Sequence, residues 1–240
     1  MQSSLYVSLS AQVALQNRLE TIAQNVANGT SAGYRGSEMK FNAVMAQMSN
    51  PQVSFVSSGS GVIKRSSGQF VKTGNPLDVA VKGEGWLAIQ TAGGQAYTRD
   101  GRMRMGTAGD LVSMTGAPIL DAGGAAIQLD PTAGQPNIAA DGSITQGQNR
   151  VGVLGIFTLP TNAQLSRVEG NAFTSNIPGT PIVDSAANGV VQGFSEQSNV
   201  NPMTELTRLI YVQRAFDGVS TTLQATESSL KSAIQTLGVS

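Results

Sequence analysis

Residues 202–237 read PMTELTRLIYVQRAFDGVSTTLQATESSLKSAIQTL, and within them Leu209, Phe216, Leu223, Leu230 and Leu237 recur every seven residues. Val212, Val219, Thr226 and Ala233 follow three positions after the first four, so an a/d stripe runs through about four heptads. This is the pattern of a helix that lies along another helix. Asn201 is suited to an N-cap, Pro202 fits the first helical position, and Gly238 follows the last leucine, so start and stop signals agree with the period. At about 1.5 Å per residue such a helix is roughly 54 Å long, more than a small domain can cover. It requires a partner, although an amphipathic helix packed on its own domain would show the same stripe.

The N-terminal segment supplies a second such helix. Leu5, Leu15, Leu19, Ile22 and Val26 fit one heptad frame, which Ser8 and Gln12 interrupt, and the pattern stops at Asn28-Gly29. The spacing predicts a helix from about Ser4 to Ala27. Only Arg18 and Glu20 are charged within it, so an outer face of Gln, Ser, Thr and Asn can bond to packed neighbours without desolvating ions. Asn25 and Asn28 lie on one face of the helix end, where their amides can reach neighbouring backbone, and Gly33 provides a turn. The expected assembly interface comprises Leu15, Leu19, Ile22, Asn25, Val26 and Asn28 from the first helix. Leu209, Val212, Phe216, Val219, Leu223, Leu230 and Leu237 supply the second helix's share.

Between the helices the texture changes twice. Residues 36–74 read as an extended connector, with Ser57-Ser58-Gly59-Ser60-Gly61 and Ser66-Ser67-Gly68 as flexible runs and Phe41, Val44 and Met45 extending a short helical turn. Residues 75–193 read as an all-β domain of sandwich or barrel-like form. Val79 and Val81 alternate with Ala80 and Lys82, Trp86 to Gln90 alternates again, and turn signals recur at Asp100-Gly101, Gly109-Asp110, Thr115-Gly116, Gly123-Gly124 and Asp141-Gly142. Arg99, Arg102 and Arg104 read as the solvated face of a strand, with Asp100 and Asp110 beside them. Gly83-x-Gly85 lacks the third glycine and the following helix of a phosphate loop, and Asn28-Gly29-Thr30 is a glycosylation sequon at a packed helix end. The fold class expected is α+β, with paired N- and C-terminal coiled-coil helices flanking a central all-β domain. Residues 1–35 and 198–240 form its helical part, and the C-terminal heptad segment begins at 194.

Composition narrows the function. There are 15 Lys+Arg against 15 Asp+Glu, so no global field draws the chain to nucleic acid or to an anionic membrane. Charged residues make up only 12%, about half the usual share, which points to a surface largely covered by other protein. Neither cysteine nor histidine occurs, which removes disulfides, thiolate metal sites and the commonest general base. No catalytic residue, cofactor site or metal site is expected. No apolar run is long enough to span a membrane, and no basic n-region precedes an apolar core at the N-terminus, so neither membrane insertion nor a cleavable signal peptide is expected.

Three blocks carry a resemblance. Ile22-Ala23-Gln24-Asn25-Val26-Ala27-Asn28 with Thr30, Gly33, Tyr34 and Arg35 resembles the N-terminal signature of the bacterial flagellar rod and hook proteins. Asn75 to Trp86 and Tyr97-Thr98-Arg99-Asp100-Gly101 resemble that family's central block, and Gly109-Asp110-Leu111-Val112 and Ala140-Asp141-Gly142 follow in order. Ser198-Asn199-Val200-Asn201 and Gln213-Arg214-Ala215-Phe216 resemble its C-terminal block. Trp86 stands where relatives often carry Phe.

The resemblance implies a structural axial subunit of the flagellar basal body that polymerises helically across the periplasm and transmits motor torque. Its partners would be copies of itself, other rod subunits and the flagellar type III export apparatus, with no nucleic acid. Length and the short connector look most like a proximal-rod member, and a distal-rod or other rod or hook member is the alternative. An extracellular carbohydrate-binding or polysaccharide-acting β-protein is the remote alternative, for which no paired-carboxylate motif or aromatic platform stands out.

Overall fold

The computed structural model describes residues 2–40, 43–46, 53–56, 60–182 and 188–237. Phe41, Ser57, Ser58, Gly59 and Gly238, and the side chains of Leu5, Leu230 and Leu237, lie outside that description. The chain divides into two compact units. Met1–Ala27, Ser37–Ile63 and Asn201–Ser240 form a helical unit, and Asn28–Gly36 with Lys64–Val200 form a β unit.

The helical unit is built on α1 (Gln2–Ala27) and α2 (Pro202–Leu237), which pack against each other. Gln12, midway along α1, donates to Ser220 Oγ at 3.3 Å, and Asn25, near the end of α1, donates to Glu205 Oε2 at 3.4 Å near the start of α2. The helices are therefore antiparallel. On α2 the residues withdrawn from solvent include Glu205, Leu209, Val212, Phe216, Val219, Leu223 and Thr226, at alternating steps of four and three, so the heptad stripe faces inward. Ser8 and Gln12, which break the apolar frame of α1, are half-buried and belong to the same face. The interruption is a polar cross-link rather than a gap.

Asn201 caps α2. Its Oδ1 accepts from the amides of Met203 at 3.1 Å and Thr204 at 3.3 Å, and its carbonyl accepts from Glu205 N, which satisfies donors that the first turn otherwise leaves open. Asn201→Ala is expected to cost about 1 kcal/mol of α2 stability. Chemical denaturation followed by far-UV circular dichroism checks this, and an unmoved midpoint would show that the cap contributes nothing.

The helical unit also contains β1 (Ser37–Lys40), β2 (Ala43–Ala46), β3 (Val53–Val56) and β4 (Ser60–Ile63). The pairs β1-β4 and β2-β3 are antiparallel. The helical turn expected at Val44 and Met45 is thus a strand. A four-residue apolar run does not distinguish helix from strand by its own period, and the partner at residues 53–56 decides it.

In the β unit the strands are β5 (Phe70–Lys72), β6 (Val79–Lys82), β7 (Trp86–Thr91), β8 (Gly94–Thr98), β9 (Met103–Met105), β10 (Leu111–Ser113), β11 (Pro136–Ile138) and β12 (Ser143–Gln146). They continue with β13 (Asn149–Val153), β14 (Ile156–Thr158), β15 (Leu165–Val168), β16 (Ala172–Ser175), β17 (Thr180–Pro181), β18 (Gly189–Gln192) and β19 (Phe194–Glu196). A six-stranded sheet in the order β15-β16-β8-β7-β14-β17 is accompanied by β11-β12-β13 and by the ribbons β9-β10, β6-β18 and β5-β19. Leu87, Ile89, Leu111, Ile119, Ile127, Ile144 and Leu154 are among the residues of one continuous apolar core. Trp86, Leu87, Ala88 and Ile89 are all buried, although successive side chains point to opposite faces of a strand. Both faces of β7 are covered, one by the apolar core and the other by a cluster of arginines and aromatic rings.

Candidate functional site

Tyr34, Arg35, Trp86 and Arg99 of the cluster on the second face of β7 come from the sequence blocks that carry the family resemblance. Gly33-Tyr34-Arg35 lies within the β unit, and residues 32–36 are all buried. Gly33 has φ +66°, and a Cβ there would run into the Asp100 amide, so only glycine fits. Asn171 Nδ2 donates to the carbonyl of Ala32, Gly33 N donates to the carbonyl of Glu196 at 2.7 Å, and Gly36 N donates to Asn199 Oδ1 at 2.8 Å. Asn199 in turn donates through Nδ2 to the carbonyls of Lys64 and Ser66. A stretch with so much of its backbone bonded to other segments is held like a bound peptide.

Glu196 is the centre of the cluster. Its Oε1 lies 2.6 Å from Arg35 Nη2 and its Oε2 3.2 Å from Arg99 Nη1, and all three side chains are within 1% of full burial. Gly68 N donates to the same Oε1 at 2.8 Å. Arg99 also donates to the carbonyls of Val81 and Gly83. The Trp86 ring has the Arg99 guanidinium 5.2 Å and the Arg35 guanidinium 5.8 Å from its centroid, and it meets Phe173 edge-on at 5.7 Å. Arg167 stacks over Tyr34 at 4.3 Å and over Phe173 at 4.9 Å. Burial pulls the Arg35 and Arg99 guanidiniums below their ordinary value, Arg99 to about 10, while the Glu196 charge pulls the other way. The Nε atoms of both have no hydrogen-bond partner among the described residues.

This overturns the reading of Arg99 as solvated. Arg102 fits that reading better: it is half-exposed and forms a fork with Asp100, Nε to Oδ1 at 2.9 Å and Nη2 to Oδ2 at 2.7 Å, while Arg104 is exposed. Arg99 follows the last residue of β8 and turns beneath Trp86 instead. Trp86 likewise is not part of the apolar core but a platform for two cations. Glu196, Arg167 and Asn171 were not singled out from sequence, because nothing local marks a buried charge whose partners lie far away in the chain.

In the helical unit Ile22, Asn25 and Val212 are buried. Leu15, Leu19, Val26, Leu209, Phe216, Val219 and Leu223 are half-buried on the inner faces of their helices. Asn25 clips the strand that follows: its Nδ2 donates to the Ser37 carbonyl at 2.8 Å and its Oδ1 accepts from Ser37 N at 2.9 Å. Asn28, in the β unit, accepts through Oδ1 from Ser31 Oγ at 3.2 Å. The large apolar residues left in solvent are different ones. Tyr6, Leu9 and Val13 on α1, and Met203, Leu206, Ile210 and Tyr211 on α2, are large apolar side chains at helical spacing that remain in solvent. Among the described residues no group of three His, Cys, Asp or Glu could hold a metal ion, and no helix is long and apolar enough to cross a membrane.

Three family models match the chain in order. Residues 5–35 match "Flagella basal body rod protein", residues 80–146 the "Flagellar hook protein FlgE/F/G D1 domain", and residues 191–236 the "Flagellar basal body rod FlgEFG protein C-terminal". The flagellar basal-body rod protein FlgF of Mesorhizobium japonicum is 45% identical, with 99% of each chain covered, and that of Rhizobium meliloti 42% identical over the same shares. The flagellar basal-body rod protein FlgG of Bacillus subtilis is more distant, at 28% identity over 98% of each chain. The structural roles of the buried Gly33-Tyr34-Arg35 turn and the capped heptad helix fall within the first and third of these matched regions, and the chain belongs to the flagellar basal-body rod protein family, on its FlgF side, as a structural subunit.

Proposed function

We propose that this subunit is part of the proximal rod and polymerises helically with copies of itself and with other rod subunits. In this role it would carry motor torque across the periplasm. Leu15, Leu19, Ile22 and Val26 on α1 and Leu209, Val212, Phe216, Val219 and Leu223 on α2 would form an antiparallel coiled coil, with Asn25 setting its register, while Leu230 and Leu237, at and past the start of α1 in that register, would serve contacts with neighbouring subunits. The outer faces then do the assembling. The observation that carries this reading is the pair of exposed apolar stripes, Tyr6-Leu9-Val13 and Met203-Leu206-Ile210, each at i, i+3, i+7 on a helix whose inner face is already occupied. Contacts that repeat head to tail without closing a ring produce a filament. Within α1 only Arg18 and Glu20 are charged, both C-terminal to Tyr6, Leu9 and Val13, so that stripe can be covered without desolvating ions. Delivery would use the flagellar type III export apparatus, and neither nucleic acid nor membrane insertion has a part.

Ile210→Asp tests the proposal. The residue is 53% exposed, so the monomer's stability should change by no more than about 0.5 kcal/mol. Purified basal bodies from cells carrying only this variant should nevertheless lack the subunit, and the cells should not swim. Normal incorporation and motility would remove the outer stripe from the interface.

A further inference from the structure

We propose that residues 193–199 are the closing piece of the β unit, and that the unit has no stable form until this segment docks. The inference is independent of the assembly reading above.

Every part of the segment is used. Gly193 donates to the Asp78 carbonyl at 2.7 Å and accepts from Thr73 N and Gly74 N. Among the described residues, 194–196 are the sole strand partner of β5. Glu196 holds Arg35, Arg99 and Gly68 N through its carboxylate and Gly33 N through its carbonyl. Gln197 N donates to the Gln69 carbonyl at 2.8 Å, and Asn199 joins residues 34–36 to residues 64–66. The fit is close enough that a Cβ on Gly68 would collide with the Gln197 carbonyl.

Without the segment, β5 has no ladder partner and the 31–36 stretch loses the bonds of Gly33 and Gly36. Two guanidiniums would also lie under Trp86 with no carboxylate bonded to them. Glu84 acts on Arg99 only through its charge, not as an ion pair. A buried cation left unpaired is among the most destabilising states available to a protein interior. Docking the segment and burying the cluster are therefore one event. A chain that emerges N-terminus first keeps this unit open until residue 199 is available, however early the hairpin of β7 and β8 forms.

Native-state hydrogen exchange on the full-length protein tests this. The amides of Gly33, Gly68 and Gln197, which bond to or from the segment, should exchange only through the opening that exposes Leu111, Ile119 and Leu120 in the core, with protection equal within about tenfold. Exchange at the first group more than tenfold faster than at the second would show that the segment opens by itself and would overturn the proposal. Asn199→Ala, which leaves no charge bare, should lower protection at both groups by a common factor. Loss confined to Gly33, Gly68 and Gln197 would equally sink it. Glu196→Gln should do the same with a larger factor, and Asn199→Ala keeps the test available should that variant not fold.

Discussion

Glu196→Ala is expected to destabilise the β unit by about 3 to 5 kcal/mol, the range seen when one partner of a buried ion pair is removed. The carboxylate is fully buried and has two arginines and a backbone amide on its oxygens, so the variant leaves two cations and an N–H uncompensated at once. Loss of a surface ion pair such as Arg102 with Asp100, one member of which is 39% exposed, is by contrast worth at most about 1 kcal/mol. Replacing the whole cluster with apolar residues of similar volume, Arg35→Met with Glu196→Leu and Arg99→Met, should cost less than Glu196→Ala alone, because no charge then remains in the interior. Urea denaturation of the parent, Glu196→Ala and the triple variant checks both statements. A Glu196→Ala midpoint equal to that of the parent would show that water reaches the cluster and screens it. A triple variant less stable than the single would show that the arginines' contacts with Trp86 and the carbonyls outweigh the cost of burying them.

Val212→Asp should have the next largest effect, and on the other unit. Val212 is 5% exposed on the inner face of α2, where a carboxylate would have to lose its water with no cation bonded to it, at a cost of order 3 to 5 kcal/mol. Leu223→Asp, at a half-buried position of the same stripe, should act in the same direction with a smaller effect. Hydrogen exchange would register the change as loss of protection along α1 and α2. The amides of Leu111, Ile119 and Leu120, bonded within the β unit, should keep theirs, since that unit has its own core. Rods should not incorporate either variant. Retained helix protection together with normal motility would show that the heptad stripe is not what pairs the two helices.

The two experiments separate two kinds of information in the chain. The heptads of α2, its Asn201 cap, its Pro202 start and the end of α1 at Ala27 are properties of short windows, in which periodicity and capping chemistry act within a few residues. These were legible in the sequence, as were the turn signals of an all-β segment and the order of the family's motif blocks. The antiparallel register of α1 on α2 was not, because nothing in a heptad frame says which turn of one helix meets which turn of the other. That register shows in Gln12 on Ser220 and Asn25 on Glu205.

Arg99 marks the limit most clearly. In sequence it belongs to a run of alternating arginines and reads as solvated, and Arg102 and Arg104 do reach solvent. Its burial depends on Glu196, 97 positions later, and on Arg35 and Trp86, which no local pattern links to it. Val44 and Met45 fail for the same reason on a smaller scale, since their strand exists through partners eleven and nine residues on. Short windows of sequence specify the elements whose stability is a sum of neighbouring residues: two amphipathic helices, the Asn201 cap and the positions of turns. Which charges are buried is set by the assembled fold, because the cost of removing a charge from water is met by groups distant in the chain, and their meeting is a property of the fold rather than of any window within it.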